Sequence, residues 1–454
     1  MRIQHLAYLP FLLFLLFSCE TIDDNNDEQP KPNEEDEKEI SAINQFVYDY
    51  MREDYLWYDE LPSSPKLTYY EPEDLVNELI YKEKDRWTYI MKDPSAEDAA
   101  ARTNDDDLPD DIGTGVFPGG DGTSYYVVLV ASGSKAHEQG VRRGDKILKV
   151  NGATPTESNV TELYTTEVGK SFTLELEPIE GEVFTATFEC EILDIPYVGE
   201  VTVKELSNGK KVGYFFYESF EKNSEEPLNE AFQQFKDEGV TDLIIDLRYN
   251  GGGYLDICQQ IGSLCYDKAG SSDVFLKLVG NDNSDNNEDT IPFRNDLAAA
   301  LNVNSIVFIT TQFSASASEA LINGLKPYVN DVKIVGGQSH GKYVGSVVLN
   351  EEGYFFFPIT FKVANVDGVS DYEDGLMPDL NAEQFNYVNV ALTNEEIGLY
   401  AYSLFYLENN YWPTLDDRGV ILDYQTASVS RRQTEKSYKV ASAKFPKRKQ
   451  QFIR

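Results

Sequence analysis

The sequence predicts a multidomain α+β chain: a small helical N-terminal segment, a β-rich module, and a larger domain of alternating strands and helices. Three changes of pattern carry that expectation. Apolar residues keep the three-and-four spacing of helices from Ile40 to about Ile90; short strands and turns take over near Ile112; from Val212 onward, buried strands alternate with amphipathic helices. With 454 residues, 41% hydrophobic and 13% aromatic side chains, the chain can bury more than one core.

Ahead of these elements lies a distinct start. Met1-Arg2 is positive, and Leu6 to Phe17 is an apolar run interrupted only by Pro10. It is short of the roughly 20 residues that span a bilayer and suits the core of a signal peptide. The run ends Leu16-Phe17-Ser18-Cys19, which resembles a bacterial lipobox, although Phe17 is bulkier than the usual residue. The resemblance implies a leader over 1–18 and lipidation at Cys19; the alternative is an ordinary signal peptide with a chance cysteine. Residues 19–39 are acidic and proline-bearing, a solvated tether between lipid and fold. The expected location is the cell envelope of a Gram-negative bacterium, on the periplasmic face of a membrane or the cell surface, with the membrane reached through the N-terminal lipid.

Charge narrows the partners. The formal net charge is −39, from 78 acidic and 39 basic side chains, and such a field repels phosphate backbones, so no nucleic-acid partner is expected. Cys190, Cys258 and Cys265 have apolar surroundings and no C-x-x-C spacing, which argues against a metal and for buried thiols or at most one disulfide.

The helical segment is placed at 40–110. Ile43, Phe46, Val47, Tyr50 and Met51 share a face, and a second helix opens at Pro72-Glu73-Asp74. The β-rich module is placed at 111–195, with a strand Tyr125–Val130, turns at Gly144 and Asn151-Gly152, and apolar Ile147, Leu148 and Val150 between them. The α/β domain is placed at 196–405: a strand at Val212–Phe216, a helix from Pro227 to Gly239, a buried strand Leu243–Leu247, a helix near Leu255–Ile261, and strands Ser305–Thr310 and Val332–Gly336. A terminal helix carries Leu399, Tyr402 and Phe405, and residues 406–454 form an extension ending in a basic tail.

Chemistry concentrates after the strand Ser305–Thr310. Ser314-Ala315-Ser316-Ala317-Ser318-Glu319 joins it to an apparent helix, and small residues allow the sharp turn that exposes a hydroxyl there. Free amides at the helix N-terminus can stabilise an oxyanion. Composition alone also fits a flexible loop. Gly341-Lys342 follows the next strand, while Asp246-Leu247-Arg248-Tyr249-Asn250-Gly251-Gly252-Gly253 and Gly375-Leu376-Met377-Pro378-Asp379 flank the pair.

This ordered set resembles the C-terminal processing peptidases, also called tail-specific proteases, and the likeness covers about residues 40–390. It implies a ClpP/crotonase-like α/β catalytic domain, a PDZ-like β-rich domain and an N-terminal helical cap. The implied activity is that of a serine endopeptidase acting on unfolded or C-terminally exposed polypeptides, without a cofactor or metal. By position, Ser316 is the implied nucleophile, Lys342 its base, and the amides of Ala317 and Gly252 the oxyanion donors. Gly113, Thr114, Gly115 and Val116 form the implied peptide-binding loop of the PDZ-like module. The chemistry needs a base beside the serine, and a lysine serves only if burial lowers its pKa from about 10.4 toward neutrality.

Two departures from the family pattern bear on the base. Ser346 stands where many members have a glutamine bonded to the lysine, and the Ser316–Lys342 interval is about one residue longer than the family spacing, which points to an insertion near Tyr328–Asn330. His340 is the only histidine near the site, so a Ser-His-Asp triad would have to use it; it is expected instead to pack beside the site, and Ser314, Ser318 and Glu319 are expected to cap the helix. A non-catalytic ligand-binding protein of the same fold is the competing reading, and it would be expected to lack the Ser/Lys pair. The sequence leaves the oligomeric state unknown.

Overall fold

Leu243-Ile244-Ile245 and Ile306-Val307-Phe308-Ile309 have no polar face, so strands built from them must be covered on both sides. In the computed structural model they are the central strands, Asp242–Asp246 and Ser305–Thr310, of a six-stranded sheet. The structure describes residues 40–423 apart from 69–70, 93–111, 121–122, 194, 196, 271 and 284–286, together with the strand Phe452–Ile453. The leader, Cys19, the acidic tether and most of the basic tail lie outside the described residues.

The sheet runs, edge to edge, Leu380–Asn381, Asp331–Gly336, Ser305–Thr310, Asp242–Asp246, Lys211–Tyr217 and Val198–Glu205. Every pairing is parallel except the last, which is an antiparallel hairpin. Because side chains alternate along a strand, Leu243, Ile245, Ile306 and Phe308 face one way. They pack against Phe232 and Phe235 of the helix Glu225–Glu238, Ile257 and Ile261 of Leu255–Cys265, and Leu321 of Ala317–Leu325. Tyr214, Ile244, Val307 and Ile309 face the other way, onto Leu399, Tyr402 and Phe405 of the helix Leu399–Asn409. That helix crosses the expected boundary at 405, since Leu407 is as deeply buried in the same core. Gly239 ends its helix in the left-handed conformation, φ 73°.

Residues 116–189 build a five-stranded antiparallel sheet in sequential order, around Val127, Phe172, Leu174 and Leu176. The Asn151-Gly152 turn forms as its sequence predicts: both residues have positive φ, 50° and 81°, and Val150 and Ala153 exchange backbone hydrogen bonds across them.

In the N-terminal segment, Ser41 Oγ caps the helix Ala42–Asp54, and Pro72 opens Pro72–Leu79. The segment is not wholly helical. Its strand Tyr89–Lys92 pairs antiparallel with Tyr354–Phe357 of the α/β domain. A further four-stranded sheet, made of Glu288–Pro292, Val274–Val279, Ile359–Asn365 and Val344–Ser346, packs through Phe275 and Leu276 into the core that holds Phe232, Ile257 and Leu321. Cys190, Cys258 and Cys265 are buried free thiols. Among the described residues no helix is long and apolar enough to cross a membrane.

Candidate active site

Three loops leave the carboxyl ends of adjacent parallel strands, where open α/β sheets gather their ligand-binding groups. Strand Asp242–Asp246 leads into 247–252, Ser305–Thr310 into 311–316, and Asp331–Gly336 into 337–342.

The first two loops are laced together. Ala315 N and Ser318 Oγ both donate to Asn250 O at 3.0 Å, and Ser314 Oγ donates to Leu247 O at 2.7 Å. Ser314 and Ser318 therefore fasten the glycine turn and do not cap the helix. The turn is braced from below by a buried ion pair: Arg248 Nη2 and Nε donate to the two oxygens of Asp246 at 2.7 and 2.9 Å, with Tyr214 Oη a further donor at 3.0 Å. Arg248 Nη1 reaches Asn386 Oδ1 at 3.0 Å. Paired and hydrogen-bonded on all sides, the two charges hold the turn in one arrangement.

Ser316 is fully buried and sits at φ 64°, ψ −118°, a conformation that costs a non-glycine residue on the order of 1–3 kcal/mol. The strain turns the chain from strand into helix at the hydroxyl, as in nucleophile elbows. Ala317 opens the following helix, so its amide is among those that no preceding turn satisfies. Gly252 lies against the serine: a Cβ there would stand 2.6 Å from Ser316 Cβ and 2.9 Å from Oγ. Its own amide donates to Asn250 Oδ1 at 2.9 Å, so of the two expected oxyanion donors Gly252 has its hydrogen turned to the turn's own asparagine.

Glu319 does far more than cap. Its Oε2 accepts from Ser316 N at 2.9 Å and Lys342 N at 2.8 Å; its Oε1 accepts from Gly341 N at 2.7 Å and Ser339 Oγ at 2.6 Å. One buried carboxylate thus ties the serine loop to the lysine loop. The sequence predicts Glu319 only as a helix-capping group, which says nothing of its bonds to Lys342, Gly341 and Ser339. The late glycine motif supports the same loop: Leu376 N donates to Ser339 Oγ at 2.6 Å, and Gly341, at φ 91°, has Glu373 O only 2.2 Å from where a Cβ would be.

Lys342 is 1% exposed, and loss of hydration lowers its pKa from the ordinary lysine value to about 7, against the opposing charges of Asp85 and Glu319. Burial likewise raises Glu319 to about 7, against its four hydrogen bonds. Ser316 Oγ makes no side-chain hydrogen bond among the described residues, and catalytic contacts commonly tighten only with substrate. His340 donates its backbone amide to Ser314 O at 2.9 Å, and its ring packs on Trp87, centroids 6.4 Å apart. Ser346 is buried four residues beyond the lysine, at the end of the strand Val344–Ser346.

In the β-rich module, Gly113 belongs to a two-stranded pairing with Glu191. Thr114 is buried, donates to Leu163 O and accepts from Val116 N, and Gly115, at φ 72°, sits against Ser134. Among the described residues no cluster of side chains could hold a metal.

A serine on a strained elbow, at the head of a helix and fastened to a loop with a buried amine, defines a serine hydrolase site. Comparison with known proteins makes the class specific. The model of peptidase family S41 matches residues 211–382, and that of the S41 N-terminal domain matches 42–89. A probable CtpA-like serine protease of Staphylococcus aureus is 26% identical over 362 residues, covering 78% of this chain and 67% of the relative; one from Staphylococcus haemolyticus is 23% identical over 309 residues, covering 66% and 60%. A crystal structure described as an S41 protease from Bacteroides fragilis superposes with a TM-score of 0.68 at 23% identity, covering 81% of this chain and 97% of that one, which shows a common fold. The chain thus carries domains of the S41 peptidase type over residues 42–89 and 211–382, and it is a serine peptidase.

Proposed function

We propose that the protein is an endopeptidase of the cell envelope in which Lys342 deprotonates Ser316, and the serine attacks a peptide carbonyl to form an acyl-enzyme that water then hydrolyses. The observation that carries this reading is the double hold of Glu319 Oε2 on the amides of Ser316 and Lys342. A lysine with a pKa of about 7 is substantially neutral at physiological pH and can accept the proton. The amide of Ala317 is the first donor to the oxyanion; Gly252 joins it if its amide turns from Asn250 toward the carbonyl oxygen.

The substrates are unfolded or C-terminally exposed polypeptides. In support, the edge Gly253–Tyr254, next to the serine, pairs in parallel with extended main chain, Phe452–Ile453 of the same protein. The β-rich module acts as a PDZ-like holder of chain ends, with Gly113–Val116 as its binding loop, a mode in which a peptide adds to a sheet edge. Lipidation at Cys19, after cleavage of the leader, anchors the enzyme to a membrane. Incubation of the purified protein and its Ser316→Ala variant with casein tests the catalytic reading: cleavage by the first alone is expected. Equal cleavage by both, or none by either, would favour a non-catalytic ligand-binding role.

A further inference from the structure

Ser346 stands in place of the family glutamine that would orient the lysine, and Asp85, from far earlier in the chain, joins Glu319 in acting on the charge of Lys342. The segment 84–88 wraps the lysine loop. Trp87 packs on His340, and Arg86 Nη2 donates to Glu373 O at 3.5 Å, the same carbonyl that abuts Gly341. Thr88 Oγ1 accepts from Ile359 N at 3.0 Å, where Ile359 is the cross-strand neighbour of Ser346. Asp85 lies inside this wrap and is 3% exposed. Its Oδ1 accepts from Trp87 N and Thr88 N, each at 2.9 Å, and its Oδ2 from Tyr55 Oη at 2.7 Å. Burial and the neighbouring carboxylate hold the Tyr55 hydroxyl far above the phenol range, so it stays a donor, and it in turn accepts from Tyr81 N at 3.0 Å. Two helices and a turn thus fix one carboxylate beside the catalytic loop.

We propose that Asp85 is a positioning residue for Lys342, an acidic partner lent to the catalytic centre by the N-terminal segment. The proposal rests on the Ser316–Lys342 reading and deepens it: the segment 42–89 becomes part of the catalytic apparatus and is more than a cap. Beyond Asp85, the titratable and charged groups around the lysine loop are Glu319 from the serine helix, Tyr372 and Glu373 from the late loop, and His340, Tyr343 and Arg86. Asp85 and Glu319 are the charges that oppose the lysine's loss of its proton.

The test is the acid limb of kcat/KM against pH on an unfolded substrate, for the full chain and for Asp85→Asn and Asp85→Ser. Both replacements are neutral and can still accept from Trp87 N and Thr88 N. Removing the negative charge makes the ammonium form less favourable, so the limb should move to lower pH, by about 0.5 unit or more. A lost side-chain contact that acted only on folding would lower the melting temperature and leave the limb in place. Should Asp85→Asn leave Tyr55 without its acceptor and fail to fold, the double variant Asp85→Asn/Tyr55→Phe removes both partners and is measured instead. An unmoved limb in any folded neutral variant overturns the proposal while the Ser-Lys reading stands; failure of the unaltered enzyme to cleave at all would remove that reading first.

Discussion

Ser316 and Lys342 are suspended from a single oxygen, since both backbone amides donate to Glu319 Oε2, at 2.9 and 2.8 Å. Their amide nitrogens can be no farther apart than the sum of those two distances. The two residues come from different loops, yet one side chain bonds the backbone of both, and rigid placement of this kind is what would lower the entropic part of the barrier for the proposed nucleophile and base.

Glu319→Gln therefore tests positioning. Glutamine offers one oxygen to four donors and brings an amide of its own toward the others, leaving buried donors unpaired. Stability should fall by about 3 kcal/mol and kcat by about 100-fold or more. Denaturant melts and initial rates measure both; a variant with native stability and rate would show that the bridge is dispensable.

The pH profile follows from Lys342. As the proposed base its amine accepts a proton only when neutral, and its pKa is lowered to about 7, so kcat/KM should be low at pH 5.5 and rise as the pH passes through about 7. Glu319, raised to about 7, titrates in the same range, and the observed midpoint belongs to the coupled pair. A midpoint near 10, or activity undiminished at pH 5.5, would contradict a buried lysine base.

Gly252→Ala should abolish activity. The added Cβ would lie 2.6 Å from Ser316 Cβ, at a φ of 109° that strains any side chain, so nucleophile and glycine turn must separate. A loss of about 100-fold or more in kcat is expected, with most of the fold retained as judged by circular dichroism. Activity within a few fold of the unaltered enzyme would place the reacting carbonyl elsewhere.

Much of this was legible in the sequence where the signal is local. Asn151-Gly152 needs two positive φ values and turns as expected; uninterrupted apolar runs gave the central strands; and the small-residue run gave the elbow at Ser316. The partners of those groups were not legible. Glu319 announces a helix cap three residues from Ser316, and only the fold brings Ser339, Gly341 and Lys342 to its other lone pairs. Asp85 reads as one more acid in an acidic chain until Tyr55, Trp87 and Thr88 close around it. The strands Val274–Val279 and Ile359–Asn365 pair antiparallel across a long stretch of chain, and their registers rest on packing against Leu321 and its neighbours and not on any turn signal between them.

The most direct test of the account compares two neighbours on one loop, Lys342 and His340. Lys342→Ala should reduce kcat/KM by about 1,000-fold or more, because its amine is the proposed acceptor of the Ser316 proton, whereas His340→Ala should keep activity within about tenfold, since its ring packs on Trp87. Turnover that survives the loss of Lys342 and vanishes with His340 would contradict the Ser316–Lys342 dyad.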